Sequence, residues 1–243
     1  MSSNVLRVST EDRVTTCVLS RVDAGNKLNG ELLLALAGAV REAQADGSRV
    51  LVLRGDGADF SLGRQGPELA GPPTPAVLNA EFARVQAANE LVEDFPGATV
   101  AVVHGRALGA GASLAGRCDL VVAARSARFA FPEVPQRIAP TVVASYFTHR
   151  LGRTALLDLL LTGREVDALE AQRLGLVSRV VDDETLDTTV AKLTAELAAL
   201  DPDVVRTIKS FISTASGLDP RTAVRLGIAE LVNQMVDQAG GER

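Results

Sequence analysis

His104–Asp119 reads His-Gly-Arg-Ala-Leu-Gly-Ala-Gly-Ala-Ser-Leu-Ala-Gly-Arg-Cys-Asp, and an apolar run, Thr99-Val100-Ala101-Val102-Val103, leads into it. The β-branched run predicts a buried strand. The Gly- and Ala-rich segment after it predicts a tight turn and a helix start packed too closely for large side chains. A helix start leaves backbone N–H groups unpaired and carries the positive end of the helix dipole. With so little side-chain bulk nearby, such donors suit a site that stabilises negative charge on a ligand oxygen. The same composition also serves a plain close contact between helix and sheet, and the segment alone leaves both readings open.

Working outward, Val14–Leu19 reads as a strand, and Asn29 can cap a helix over Glu31–Gln44 whose apolar residues recur at helical spacing. Val50-Leu51-Val52-Leu53 is uniformly apolar, as expected of a strand buried on both faces. Gly71-Pro72-Pro73-Thr74-Pro75 cannot be regular helix and reads as a mobile surface loop, followed by a helix over Ala76–Glu93. Leu120-Val121-Val122-Ala123 is another buried strand, and Phe129-Ala130-Phe131 extends to Pro132-Glu133. After Pro140 the pattern is helical, broken by a strand-like Val177–Val181. Three segments, Val50–Gly63, Val100–Gly111 and Leu120–Glu133, each pass from apolar strand to turn. They predict stacked strand–turn–helix units in an α/β core, 1–185, with a helical region over 186–243.

The chain has 243 residues, 47% of them hydrophobic, enough for one large core, and a net charge of −5 that argues against nucleic acid or an anionic membrane as partner. Cys17 and Cys118 lie in apolar segments without ligand spacing, which suits reduced core residues of a cytoplasmic protein. Met1-Ser2-Ser3-Asn4 lacks the basic start of a signal peptide, and no apolar run is long enough to span a membrane.

Phe60-Ser61-Leu62-Gly63-Arg64, Gly105–Gly111, Cys118-Asp119 and Phe129–Val134 stand in the order and spacing of the crotonase superfamily, the enoyl-CoA hydratase/isomerase family. Asn26–Asn29, Leu161–Arg164, Ala168, Ala171 and Gly175–Val177 extend the resemblance over Val5 to Phe211. It implies a spiral of ββα turns with an α-helical C-terminal region that drives assembly into a trimer or a dimer of trimers. It also implies an acyl-CoA thioester substrate, with coenzyme A entering only as part of that substrate and no metal or other cofactor.

By the same resemblance, the backbone N–H groups of Arg64, after Gly63, and of Ala110, after Gly109, hold the thioester oxygen. The adenine loop falls at Gly25, Asn26, Lys27 and Leu28, with Lys27 beside a CoA phosphate. The stretch from Gln65 to Pro75 falls where acyl selectivity resides. Hydratases of this family use two glutamates. Here Glu133 matches one, Ser113 stands at the other, and a third acid position falls at Thr141. One carboxylate suits a proton shuttle that isomerises an enoyl-CoA double bond. Hydration or hydrolysis with water held by Ser113 is the alternative. An acyl-CoA-binding assembly subunit with little activity is a third reading. His104 and Asp119 are expected to be structural. The C-terminus stops at a polar, flexible segment from Gln238 and lacks the aromatic helix that often covers CoA in this family.

Overall fold

The computed structural model describes residues 5–66 and 72–241. In chain order the elements are β1 (Leu6–Glu11), β2 (Val14–Leu19), α1 (Gly30–Ala45), β3 (Val50–Gly55), α2 (Pro75–Glu93), β4 (Ala98–Val103), β5 (Arg106–Leu108), α3 (Ala110–Arg117), β6 (Leu120–Ala124) and β7 (Arg128–Ala130). There follow α4 (Thr141–Phe147), α5 (Arg153–Thr162), β8 (Val166–Asp167), α6 (Ala168–Leu174), β9 (Arg179–Val181), α7 (Leu186–Ala198), α8 (Pro202–Ala215) and α9 (Pro220–Gly241).

The strands form two sheets, ordered β1-β2-β3-β4-β6-β9 and β5-β7-β8. In the larger sheet only β1 runs antiparallel to its neighbour. β4 and β6 are neighbours in the large sheet while their continuations β5 and β7 are neighbours in the small one. An isolated bridge between Ser61 and Ala107 adds the continuation of β3 to the same stack. Each turn of chain therefore contributes one strand to each sheet and then a helix, which is the expected spiral of ββα units.

The uniformly apolar strands are explained by what covers them. Leu51, Leu53, Ala101, Val103, Val121 and Ala123 point into one core with α1 and α2, while Val50, Val52, Val100, Val102, Val122 and Ala124 point into a second core closed by Leu186, Val190 and Leu193 of α7. Strand side chains alternate between faces, so a strand covered on both sides has no polar register to keep. This also moves the expected boundary at residue 185. α7 lies over the large sheet, and the chain divides into a unit Met1–Ala199 and a unit Leu200–Arg243.

Asn29 caps α1 as expected, its Oδ1 accepting from Leu32 N at 2.9 Å. Of the expected loop Gly71–Pro75, Gly71 lies outside the described residues. Pro72 and Pro73 are exposed, Thr74 caps α2 and Pro75 is its first residue, a position where the missing N–H costs nothing. β1 was not legible because only its first residue is buried. The flexible segment expected from Gln238 is corrected: α9 continues to Gly241, carried by helix-forming Gln238 and Ala239, while Glu242 and Arg243 lie outside the described residues. Cys17 and Cys118 are buried and unbridged, and burial pushes the Cys17 thiol up to about 12. No helix among the described residues is long and apolar enough to cross a membrane.

In the second unit α8 and α9 pack on each other. Asp201 caps α8 through Asp203 N and Val204 N. Both helices expose apolar residues, among them Ile208, Ile212, Ile228, Val232 and Met235.

Candidate active site

The opening stretch is where two turns of the spiral meet. β5 reads as a short strand rather than a turn because Arg106–Leu108 pairs with Arg128–Ala130 on one side and Ser61 bridges Ala107 on the other. Gly109 then breaks direction at φ +49° and ψ −117°, a backbone for which a side chain would be strained. Its N–H donates to Ala130 O at 2.8 Å and its carbonyl accepts from Ser113 N at 2.9 Å. Ala110 is the first residue of α3, so helix geometry gives its N–H no intrahelical acceptor.

Arg64 reaches the same place from the preceding turn of the spiral. Leu28 bridges it in parallel, with Leu28 N donating to Gly63 O at 2.8 Å and Gln65 N donating to Leu28 O at 2.9 Å. That alternation directs the Arg64 N–H away from Leu28. Gly63, at φ +99°, lies against the start of α3. A Cβ there would stand 3.1 Å from Leu108 O and 3.9 Å from Ala110 N. The two expected donors therefore sit on adjoining segments.

Their spacing is fixed by groups that the sequence did not single out. Asp59 Oδ1 accepts from both the backbone N and the Nε of Arg106 at 2.9 Å, and its Oδ2 accepts from Arg106 Nη2 at 2.9 Å. The Arg106 guanidinium holds the Asp59 carboxyl below the usual carboxylate range. Ser61 N donates to Arg106 O at 3.1 Å and Leu108 N donates to Ser61 O at 2.9 Å. A charged fork on a buried carboxylate is a strong, directional tie, and here it clamps the Arg64 segment to the Ala110 segment. Arg106 lies within one motif and Asp59 just before another, 47 residues apart, so only the fold pairs them.

Glu133 arrives on the third turn, after β7. Its carboxylate lies against Gly109, so that a Cβ on Gly109 would stand 2.6 Å from Glu133 Oε1. Oε2 is buried with no hydrogen-bond partner. Burial raises this carboxyl above its ordinary 4.5. A half-desolvated carboxylate without a cationic partner, beside free backbone donors, has the character of a proton carrier. Ser113, one turn into α3, is 3% exposed, and its hydroxyl makes no hydrogen bond among the described residues. Thr141 opens α4 and is exposed. Glu133 is thus the carboxylate of the three expected acid positions.

The expected adenine loop divides. Gly25 and Asn26 adopt left-handed backbones, at φ +61° and +52°. Asn26 is buried and internally committed, its Oδ1 accepting from Arg21 N and its Nδ2 donating to Asp56 O and Asp59 O. Leu28 is also buried, in the core. Lys27 alone presents an exposed side chain. Asn26 therefore shapes the loop, while Lys27 is the residue of this loop able to meet a ligand phosphate through its side chain.

His104 and Asp119 are structural. Asp119 Oδ2 accepts from Thr99 N and Thr99 Oγ1 at 2.8 and 2.9 Å. His104 Nε2 donates to Gly57 O at 2.9 Å, leaving Nδ1 buried without a partner. Of the expected selectivity stretch, residues 67–71 lie outside the described residues. One contact beside it was missed: the Arg64 guanidinium carbon stands 5.0 Å from the ring centroid of Phe82 on α2.

Comparison with known proteins agrees with this architecture. A family model described as enoyl-CoA hydratase/isomerase matches residues 9–240. A probable enoyl-CoA hydratase of Mycobacterium bovis is 30% identical over 217 residues, covering 88% of this chain and 83% of the relative. The 2,3-dehydroadipyl-CoA hydratase of Escherichia coli is 32% identical over 231 residues, covering 93% of this chain and 86% of the relative. An enoyl-CoA hydratase structure from Mycobacterium smegmatis superposes with a TM-score of 0.91 at 29% identity, covering 97% of this chain and 92% of that one.

Proposed function

Because the chain belongs to the enoyl-CoA hydratase/isomerase family and is an acyl-CoA-processing enzyme, we propose that it moves an enoyl-CoA double bond by a proton shuttle on Glu133. The observation that carries this reading is the single carboxylate of Glu133 beside Gly109, its Oε2 buried without a partner, with serine at the other glutamate position. Glu133 takes a proton from C2 of a 3-enoyl-CoA. The electron pair delocalises onto the thioester oxygen, where the N–H groups of Arg64 and Ala110 hold the charge. The same carboxyl returns the proton at C4 and gives the 2-enoyl isomer. No water is consumed and no electron leaves the substrate, so the step needs no metal or redox cofactor.

A second reading is hydration, favoured by the largely buried Ser113 at the other glutamate position, whose hydroxyl could hold a water at C3. Deuterated water separates the two. Incubated with 3-enoyl-CoA, the enzyme is expected to yield 2-enoyl-CoA without the mass of an added water, with deuterium entering only to the extent that the proton on Glu133 exchanges with solvent before its return. Hydration of 2-enoyl-CoA as the faster reaction would overturn the shuttle.

The exposed apolar residues of α8 and α9 support self-association, and we read the protein as a homotrimer or dimer of trimers. Sedimentation is expected to give three or six chains per particle. Ile228→Asp and Val232→Asp together are expected to reduce that mass; an unchanged mass would exclude this surface.

A further inference from the structure

Arg64 has a side chain that the proposed chemistry does not use. Its Nη1 is buried and has no hydrogen-bond partner. Among the described residues the guanidinium forms neither an ion pair nor a hydrogen bond; it lies over the face of Phe82, at 5.0 Å, and against the Gly66 backbone. Two acceptors among the described residues close to it in sequence or next to Phe82 are engaged elsewhere. Glu81, next to Phe82 on α2, pairs with Arg84, and Gln65 Oε1 accepts from Arg21 Nη2 at 2.8 Å. A buried N–H without an acceptor is costly, and a guanidinium offers five donors in a fork that fits a carboxylate. Stacking on an aromatic face holds that fork in place without satisfying any of its N–H groups.

We propose that the Arg64 guanidinium binds a carboxylate at the far end of the acyl chain, so that the preferred substrates are half-thioesters of dicarboxylic acids. The proposal rests on the reading that the Arg64 N–H holds the thioester oxygen. One residue then grips the acyl group at two points, by its backbone at the thioester and by its side chain at the distal anion. The distance between those points is limited to the reach of one arginine, which selects short diacids.

The other anion on an acyl-CoA is a CoA phosphate, and binding of saturated thioesters distinguishes the two sources without any turnover. Succinyl-, glutaryl- and adipyl-CoA are to be compared by calorimetry with butanoyl-, pentanoyl- and hexanoyl-CoA. The wild-type protein is expected to bind at least one diacid ester roughly 10–100-fold more tightly than its methyl-ended counterpart, as for a charged hydrogen bond formed out of water. Arg64→Met keeps the backbone N–H and is expected to abolish that preference; Arg64→Lys keeps the charge without the fork and is expected to retain part of it. Equal binding of the two series by the wild type would overturn the proposal while leaving the thioester site intact. A preference that survives in Arg64→Met would also overturn it, as would equal weakening of both series, the signature of a phosphate contact. Failure of every ester to bind would remove the thioester reading together with the proposal.

Discussion

Glu133→Gln is expected to lower kcat/KM for 3-enoyl-CoA by about 10²–10⁴-fold, the range for loss of a positioned acid–base group. The upper end is expected, because in the proposed shuttle one carboxyl performs both proton transfers and no second acid stands at Ser113 or Thr141. Glutamine preserves the shape and the contact with Gly109 but cannot accept the C2 proton. The pH profile gives an independent reading. Below its pKa Glu133 is protonated and inactive as a base. Since burial raises that pKa, the acid limb of the wild-type kcat/KM profile is expected above 4.5. Stability has a matching sign. A carboxyl whose folded pKa is raised binds its proton more tightly in the folded state, so its favourable contribution is present at low pH and is lost as pH rises through that pKa. Glu133→Gln removes the desolvated charge, and near neutral pH its melting temperature is expected to equal or exceed that of the wild type. A fully active variant would remove Glu133 from the mechanism, and a collapse in stability would overturn the reading of its carboxylate as a desolvated charge.

Ala110→Pro is expected to cost on the order of 10²–10³ in kcat, or more, with the fold retained. A backbone donor is rarely open to mutation, because removing an N–H from a helix interior breaks the helix. Ala110 is an exception in that it is the first residue of α3, where proline is well accommodated. The substitution replaces the proposed donor with ring carbon where the thioester oxygen would sit. Gly109 before it has the conformational latitude that a pre-proline residue needs. The expected result is a protein with a near-native melting temperature, normal mass in solution and severely reduced turnover. Full turnover in Ala110→Pro would show that this N–H holds no charge.

Much of this was legible in the sequence, and the unread parts share a physical reason. Val50–Leu53 and Val100–Val103 announce buried strands because they are covered on both faces. Asn29 announces a helix start through its own cap. The Gly-rich stretch shows its close approach because glycine is what a close approach requires. Asp59 and Arg106 gave no local sign of their pairing, since their contact is made by stacking of turns. Asn26 resembles a ligand residue by position, yet its buried side chain is spent on Arg21, Asp56 and Asp59. The Arg64 guanidinium could not be placed before Phe82 was known to lie beneath it.

The clamp between Asp59 and Arg106 has a kinetic consequence for how the enzyme becomes active. The segments it joins are 47 residues apart, and Glu133 comes from a later turn again. Contacts of such sequence separation form late, because loop-closure entropy is lost before any of them is gained. No fragment ending before β7 contains the three groups that the proposed reaction needs. On that proposal, nascent chains are expected to stay inert toward thioesters until Glu133 has been made, with activity arising only when the third turn of the spiral docks.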